Sequence, residues 1–500
     1  MIEGSLSVQK LLKKETAVES AGIILFFLII ERIIQTFRGI IFARVLGPGE
    51  YGLFTLAIFF IPIVVTLAKL GIPSCYNRYV PQYEEKGMLG DFFIRNYRIT
   101  ILAGIFFTVL CLSFSKQISW LLFASVDHKF IIVLCALTIL PSLIFENLQF
   151  SFSGMRIYKM GSLLRFAQFF IFTALSIPLV IYYQKVEYAV TANLISFIIV
   201  SSLFAFITLK YILRSGSQSV KIEDNNFYRK IFRYSVWFVV TPIIVNVFNY
   251  MDRLMLNRFL GLEEVGIYSI AVNVANLLLL FGMVAGKVVM PNLSRIWENG
   301  EKERVISLFN IGIKANALVI LFIAVMLSLF KEPLVSFLYG QSYIESISAI
   351  NILLIFSFFT SIHAIIGAYA GIIEKTFIHL IINIIGFVFN VILNYILIPN
   401  YQLVGAATAT TVSFIISFIA INCWFYKEGL KLSFVTVFLY FTPIVLILNS
   451  TLMSIIFLIL MVVTIRSNLI ISNNEKIILK QQLVKAIESK KARKYTNDLK

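Results

Sequence analysis

Long apolar runs constrain this chain more than any other feature. Stretches of about 18–25 mostly apolar residues recur along its whole length, each long enough to cross roughly 30 Å of hydrocarbon at 1.5 Å per residue. No soluble core could hide so many. The expected fold is an all-α polytopic membrane protein with about fourteen transmembrane helices. They fall near residues 20–43, 51–72, 93–115, 118–145, 161–183, 186–209, 231–256, 265–290, 309–330, 344–369, 375–398, 403–425, 432–449 and 451–466. Asp127-His128-Lys129 interrupts the fourth. Composition agrees, with 59% hydrophobic residues and a mean hydropathy of +0.89.

The opening segment, MIEGSLSVQKLLKKETAVES, does not read as a secretory signal. The apolar run after it is too long and no small-residue cleavage site follows, so the first helix is expected to stay in the protein. The net charge of +17 could suggest nucleic acid, but its distribution argues otherwise. With a cytoplasmic N-terminus and each span reversing the chain, about 33 of the 43 Lys and Arg fall on the cytoplasmic side. The basic excess is a topology signal and an attraction to anionic lipid. No aromatic-basic module of a nucleic-acid binder is present, and no nucleic-acid partner is expected. The expected location is the cytoplasmic membrane, with both termini cytoplasmic. Cys75, Cys111, Cys135 and Cys423 have neither metal nor disulfide spacing and are read as apolar packing residues.

The chain is built twice. Shifted by 214, residues 37–52 (FRGIIFARVLGPGEYG) overlay residues 251–266 (MDRLMLNRFLGLEEVG) without a gap. Arg44, Leu46, Gly47, Glu50 and Gly52 meet Arg258, Leu260, Gly261, Glu264 and Gly266. At a shift of 217, AVTANLISFII (189–199) overlays AATATTVSFII (406–416), and Gly154 meets Gly371. Two pseudo-symmetric lobes of six helices follow, at 20–212 and 229–425. An even number of spans per lobe makes the repeats parallel, and a cleft between such lobes can open alternately to each side. Around them lie a cytoplasmic segment at 1–19, a polar cytoplasmic linker at 213–228, two further helices within 432–466 and a basic cytoplasmic tail at 467–500. The end of that tail reads as an amphipathic helix on the membrane surface. Pro62, Pro141, Pro178, Pro242 and Pro443 lie inside spans and could bend them.

A charge within hydrocarbon is costly and usually faces water or a partner. The first helix carries Glu31, Arg32, Gln35 and Arg38. Glu31, Gln35 and Arg38 share one face, with Arg32 turned aside. Counted from Gly47, Arg38 lies about 13 Å deep and Arg32 about 22 Å. The seventh helix carries Asn246, Asn249, Asp252 and Arg253, and Asp252 takes the place of Arg38 in the other lobe. These residues are expected to line the cleft. Arg32, Arg38 and Arg253 would attract an anion, with Asp252 or Glu31 holding the arginines when it is absent. The alternative is an ion-pair network that only fixes helix packing or seals a gate. Lys69 and Lys287 are expected to snorkel at cytoplasmic span ends. The Gly-x-x-Glu-x-Gly corners read as turn and capping devices. His128, His363 and His379 are scattered and read as satisfied polar residues. With no Walker loop, no metal spacing and no nucleophile elbow, the chain does not read as an enzyme and no cofactor or metal is expected.

The run from Phe37 to Gly47, closed by Pro48-x-Glu50-Tyr51-Gly52, resembles the first-helix signature of the polysaccharide-type flippases. So does its echo from Asp252 to Gly261, with Val265-Gly266-x-Tyr268. A third match is EPLVSFLYGQSYIES (332–346), similar to the segment entering the tenth helix of that family. The family lies within the multidrug/oligosaccharidyl-lipid/polysaccharide exporter superfamily. The resemblance implies two lobes, alternating access and movement of a lipid-linked sugar across the membrane. In the related lipid II flippases a similar pattern sets an arginine against the lipid pyrophosphate. Arg38 matches that arginine and Ala43-Arg44 match the end of the pattern, while Gly39 stands where an aspartate is usual. The implied partners are a lipid-linked glycan substrate and membrane lipids, with a glycosyltransferase or polymerase of the same pathway as a further candidate. Rival readings are a multidrug cation antiporter on the same scaffold, which would rely on carboxylates, and a membrane sugar polymerase or glycosyltransferase. The latter usually has a large outer loop, whereas the outside loops here run only about 2–12 residues. A lipid scramblase without glycan preference is a third.

Overall fold

A computed structural model describes residues 17–214, 226–235, 237–279, 293–473 and 475–477. All regular structure among them is helical, as a backbone in hydrocarbon requires: a helix closes its own hydrogen bonds. Eight of the described helices are long and apolar enough to cross a membrane. Two of these bend sharply. Ala17–Ala68 breaks at Gly47 (φ 75°, ψ 171°) and Ile378–Lys427 at Gln402 (φ 49°, ψ −126°), so each covers two expected spans. Pro62, Pro141, Pro178 and Pro242 lie inside helices that continue through them.

The duplication is written in the backbone as well as in the sequence. Left-handed residues occur in pairs 213–218 residues apart: Gly47 with Gly261, Gly87 with Gly300, Ala124 with Gly340, Arg156 with Glu374, and Gln184 with Gln402. Only glycine adopts this conformation without steric cost. Six non-glycine residues nevertheless hold it, at helix ends where the chain must reverse. The spacing is 213–214 in the first two pairs and 216–218 in the later three, near the sequence shifts of 214 and 217.

Two compact units are present. The first comprises Met1–Ile270, Leu334–Ser346 and Asn390–Ala406. Its centre is the Lys129–Gly154 helix, packed against Val186–Arg214, Leu89–Ser113 and Ala17–Ala68. Asn147 on that helix accepts from the Tyr76 hydroxyl (2.9 Å) and donates to Thr100 (2.8 Å), so the buried polar groups there are satisfied. The fourth expected span, 118–145, is displaced. A short helix, Ser115–Phe123, ends at left-handed Ala124, and the membrane-length helix starts at Lys129. Ser125 and Asp127 close a polar turn on each other (2.9 and 3.1 Å), which ends one helix before the next begins.

The second unit comprises Ala271–Pro333, Ile347–Phe389 and Ala407–Lys500. Lys302–Leu329 packs on Ile347–Ile366 and on Ser450–Arg466. The expected span at 432–449 is two short pieces, Phe434–Leu439 and a 3₁₀ turn at Thr442–Ile447 entered through Pro443. Two asparagines hold these pieces in place. Asn310 Oδ1 accepts from Ser433 N (2.8 Å) and Thr436 Oγ1 (2.7 Å), and Asn351 donates to the Leu446 carbonyl (2.9 Å). Lys287 and nearly all of the amphipathic tail lie outside the described residues.

Candidate anion-binding site

The charged first helix rests on Tyr158–Tyr183. Phe27 meets Phe166 with ring centroids 5.3 Å apart, Glu31 pairs with Arg165 at 2.8 Å, and Arg38 donates to Thr173 Oγ1 at 3.1 Å. The Arg38 guanidinium also lies 3.9 Å from the Phe172 ring centroid, a cation–π contact. Arg38 and Thr173 lie seven and eight residues beyond Glu31 and Arg165, so the two helices run parallel. Glu31 and Arg38 are both buried, whereas Gln35 is exposed and accepts from Arg32 Nη1 (3.1 Å). The face expected to present Glu31, Gln35 and Arg38 together is thus divided. Glu31 holds Arg165 and makes no ion pair with Arg32 or Arg38 among the described residues. Arg32 is half-buried, with Tyr250 of the Trp237–Phe259 helix in electrostatic reach.

Trp237–Phe259 supplies the other expected residues. Asp252 Oδ1 accepts the Arg253 backbone N–H (2.8 Å), and the Arg253 guanidinium lies 3.9 Å from the same oxygen. Arg253 donates to the Asn249 carbonyl (3.0 Å) and to Ser269 Oγ (3.1 Å), and packs over the Tyr250 ring at 4.6 Å. Tyr250 in turn stacks on Phe59 with centroids 4.0 Å apart. Asn249 is exposed and Asn246 half-buried.

The repeat-related residues that touch lie one helix later than the first helices themselves. Ser269 Oγ is 3.4 Å from Thr55 Oγ1. A Cβ on Gly52 would lie 1.9 Å from the Leu262 carbonyl oxygen, and one on Gly266 would lie 2.0 Å from that of Pro48. The last glycine of Gly-x-x-Glu-x-Gly is therefore needed in both copies so that two backbones can cross. The first glycine makes the turn, at Gly47 and Gly261. Glu50 accepts the Val186 backbone N–H (3.0 Å) at the start of Val186–Arg214, the capping role expected of it.

The two arginines of the motif do different work. Arg44 Nε donates to the Leu338 carbonyl (2.8 Å) and Nη2 to that of Phe337, closing the C-terminal end of Lys331–Leu338. The Tyr343 hydroxyl returns a bond to the Ala43 carbonyl (2.8 Å). The FLYGQSY segment is thereby tied to the end of the first helix. Arg258 lies over the Trp120 ring, 3.9 Å from its centroid. Lys69, expected to snorkel, instead pairs with Glu146 at 3.1 Å.

Arg32, Arg38, Arg165 and Arg253 are the guanidiniums of the candidate site, all in the first unit. Arg165 and Arg253 each lie within 4 Å of a carboxylate, Glu31 and Asp252 respectively. Arg32 and Arg38 have neutral partners among the described residues. A guanidinium carries five N–H donors, and one of those on Arg38 goes to Thr173. Arg165 was missed in the sequence. It sits only a few residues inside its span, where a cation reads as an interfacial anchor, and the signal for it was the need of buried Glu31 for a counter-ion.

A family model described as polysaccharide biosynthesis protein matches residues 17–297, and the MatE model matches residues 238–396. An uncharacterized membrane protein of Methanocaldococcus jannaschii is 23% identical over 79% of this chain and 81% of its own length. A probable low-salt glycan biosynthesis flippase of Haloferax volcanii is 26% identical over 42% of this chain and 45% of its own length. Among solved structures, a lipid II flippase in an inward closed conformation superposes with a TM-score of 0.67 at 18% identity, covering 89% of this chain and 99% of that one.

Proposed function

This chain belongs to the polysaccharide biosynthesis protein family, and on that premise we propose that it carries a lipid-linked oligosaccharide or polysaccharide repeat unit across the cytoplasmic membrane by alternating access. The observation that carries the reading is Arg32 and Arg38, two permanent cations on an apolar membrane-length helix without a carboxylate partner among the described residues. A cation there costs at least about 2.5–3.5 kcal/mol on insertion scales, so a ligand that neutralises it is expected. Guanidinium binds phosphate bidentately and stays charged at any physiological pH.

Arg38, Arg32 and Arg253 bind the phosphate or pyrophosphate of a polyprenyl or dolichyl carrier. Glu31, Gln35, Asn246, Asn249 and Asp252 set the polar lining and the gate. The glycan occupies the polar side and the isoprenoid chain an apolar surface. Both termini face the cytoplasm, the lobes span 20–212 and 229–425, and the basic tail at 467–500 lies on anionic lipid, where it can meet a glycosyltransferase of the same pathway.

The protein is a transporter and not an enzyme, in keeping with the flippases it resembles. The cation-antiporter reading is disfavoured because Glu31 is neutralised by Arg165 and Asp252 is held by the Arg253 N–H. Deletion of the gene tests the proposal: lipid-linked sugar should accumulate on the inner leaflet and clear when the wild-type chain is restored. Ion-driven dye uptake by everted vesicles, with no such accumulation, would establish the antiporter instead.

A further inference from the structure

His363 and His379 face one another inside the second unit, on Ile347–Ile366 and Ile378–Lys427. Their ring centroids are 5.8 Å apart and the rings nearly perpendicular, at 89°. His379 Nε2 lies 3.1 Å from the Gly367 carbonyl oxygen. His363 Nδ1 is buried with no hydrogen-bond partner among the described residues, and the Phe414 ring packs edge-to-face with the imidazole, centroids 5.7 Å apart. The arrangement depends on a glycine. A Cβ on Gly367 would lie 2.9 Å from the His363 carbonyl oxygen and 3.1 Å from His379 Cε1. Histidines expected to be satisfied polar residues thus form a pair with one nitrogen unused.

Among the described residues no ion pair reaches either ring. The charge that acts on His363 is that of His379. Lys375, in the turn between the two helices, is held by Glu428 at 2.6 Å, Glu374 beside it is exposed, and Tyr369 donates to the Glu428 carbonyl. On the neighbouring Lys302–Leu329 helix, Lys314 is paired with Glu475 at 2.9 Å. Tyr440, on the short segment after Ile378–Lys427, packs on Phe418 with its hydroxyl buried and unbonded. The equivalent position in the first repeat, 217 residues earlier, is Glu146, which pairs with Lys69. One repeat therefore holds a carboxylate where the other holds an imidazole, the side chain whose charge changes near neutral pH, and His379 matches Ser162.

We propose that the His363–His379 pair binds one proton, and that this proton works against the conformation described here. The proton comes from water on whichever side the pair is open to, adds to the free lone pair of the imidazole couple, and leaves to the other side; no other bond changes. An imidazolium has two N–H donors, and among the described residues one charge on this pair meets Phe414 and apolar neighbours without a carboxylate. Uptake therefore favours an arrangement in which the pair meets water. A ligand that binds one of two states better shifts the population toward it. Use of the proton in transport rests on the proposed function, but its binding does not.

The chain has three histidines, so imidazole ¹⁵N spectra of the full protein in lipid nanodiscs are simple, and His128→Gln leaves the pair alone. The pair should take up one proton as the pH is lowered from about 8 to about 4. Spin labels at Lys86→Cys and Thr376→Cys, in a chain without its native cysteines, should show two distance populations whose ratio changes by up to about tenfold per pH unit. The double variant His363→Gln with His379→Gln should flatten that dependence. Two rings that stay neutral throughout, or a pH dependence that survives in the double variant, would overturn the proposal. The spectra need no change in the pair, so a variant that fails to fold leaves that arm decisive. A chain that titrates as stated but moves no glycan would fail the transport reading alone.

Discussion

Thr55 and Ser269 stand 214 residues apart in the chain, yet their hydroxyl oxygens are 3.4 Å apart. Residues matched by a duplication meet in this way only near the axis that relates the copies. Gly52 and Gly266, matched by the same shift, cross there backbone to backbone.

The crossing predicts a sharp contrast among glycines. Gly52→Ala or Gly266→Ala forces a backbone shift, since the new carbon would sit 1.9–2.0 Å from a carbonyl oxygen. Overpacking of this kind costs about 1–3 kcal/mol or more. Gly49→Ala, with nothing within 4 Å of the added carbon, should be neutral. Thermal unfolding of the purified variants in detergent measures the difference.

Glu31 and Arg165 predict an asymmetry. The Glu31 side chain is 6% exposed and that of Arg165 35%. Arg165→Gln strands a buried carboxylate, whereas Glu31→Gln leaves a guanidinium that can turn to water. The first should cost more, about 1–3 kcal/mol for the unsatisfied group, and the double variant should recover part of the loss. Equal costs in the two single variants would show that burial does not decide the pair.

The clasp at the end of the first helix predicts a modest, additive effect. Tyr343→Phe removes one neutral hydrogen bond to the Ala43 carbonyl, worth about 0.5–1.5 kcal/mol. Arg44→Ala removes the bonds to Leu338 and Phe337 and should cost at least as much. Both should appear as lowered unfolding temperatures at normal abundance.

Most span positions were legible from hydropathy because hydrocarbon admits few alternatives, but those expected at 118–145 and 432–449 are interrupted by short helices. The duplication was legible because the corners require glycine at 47 and 261 and the crossing requires it at 52 and 266. Partners were not. The sequence placed Glu31 on the face of Arg38, but the Tyr158–Tyr183 helix supplies Arg165 to it, and helix pairing is not written in the periodicity of one helix. Arg44 and Arg258 look identical in the motif, yet one closes a helix end and the other stacks on Trp120. Likewise, the meeting of His363 with His379 depends on the absence of a side chain at Gly367, beside which His379 packs.

The central claim is that unpaired guanidiniums on the first helix hold a lipid phosphate. It is tested most directly by the rate at which the reconstituted chain turns a lipid-linked oligosaccharide across the bilayer, compared for wild type, Arg38→Lys and Arg38→Ala at matched protein amounts. Loss of a charge-assisted contact of roughly 1.5–3 kcal/mol predicts about a tenfold or greater fall for Arg38→Ala, with Arg38→Lys between. Undiminished turnover by a folded Arg38→Ala chain would contradict it.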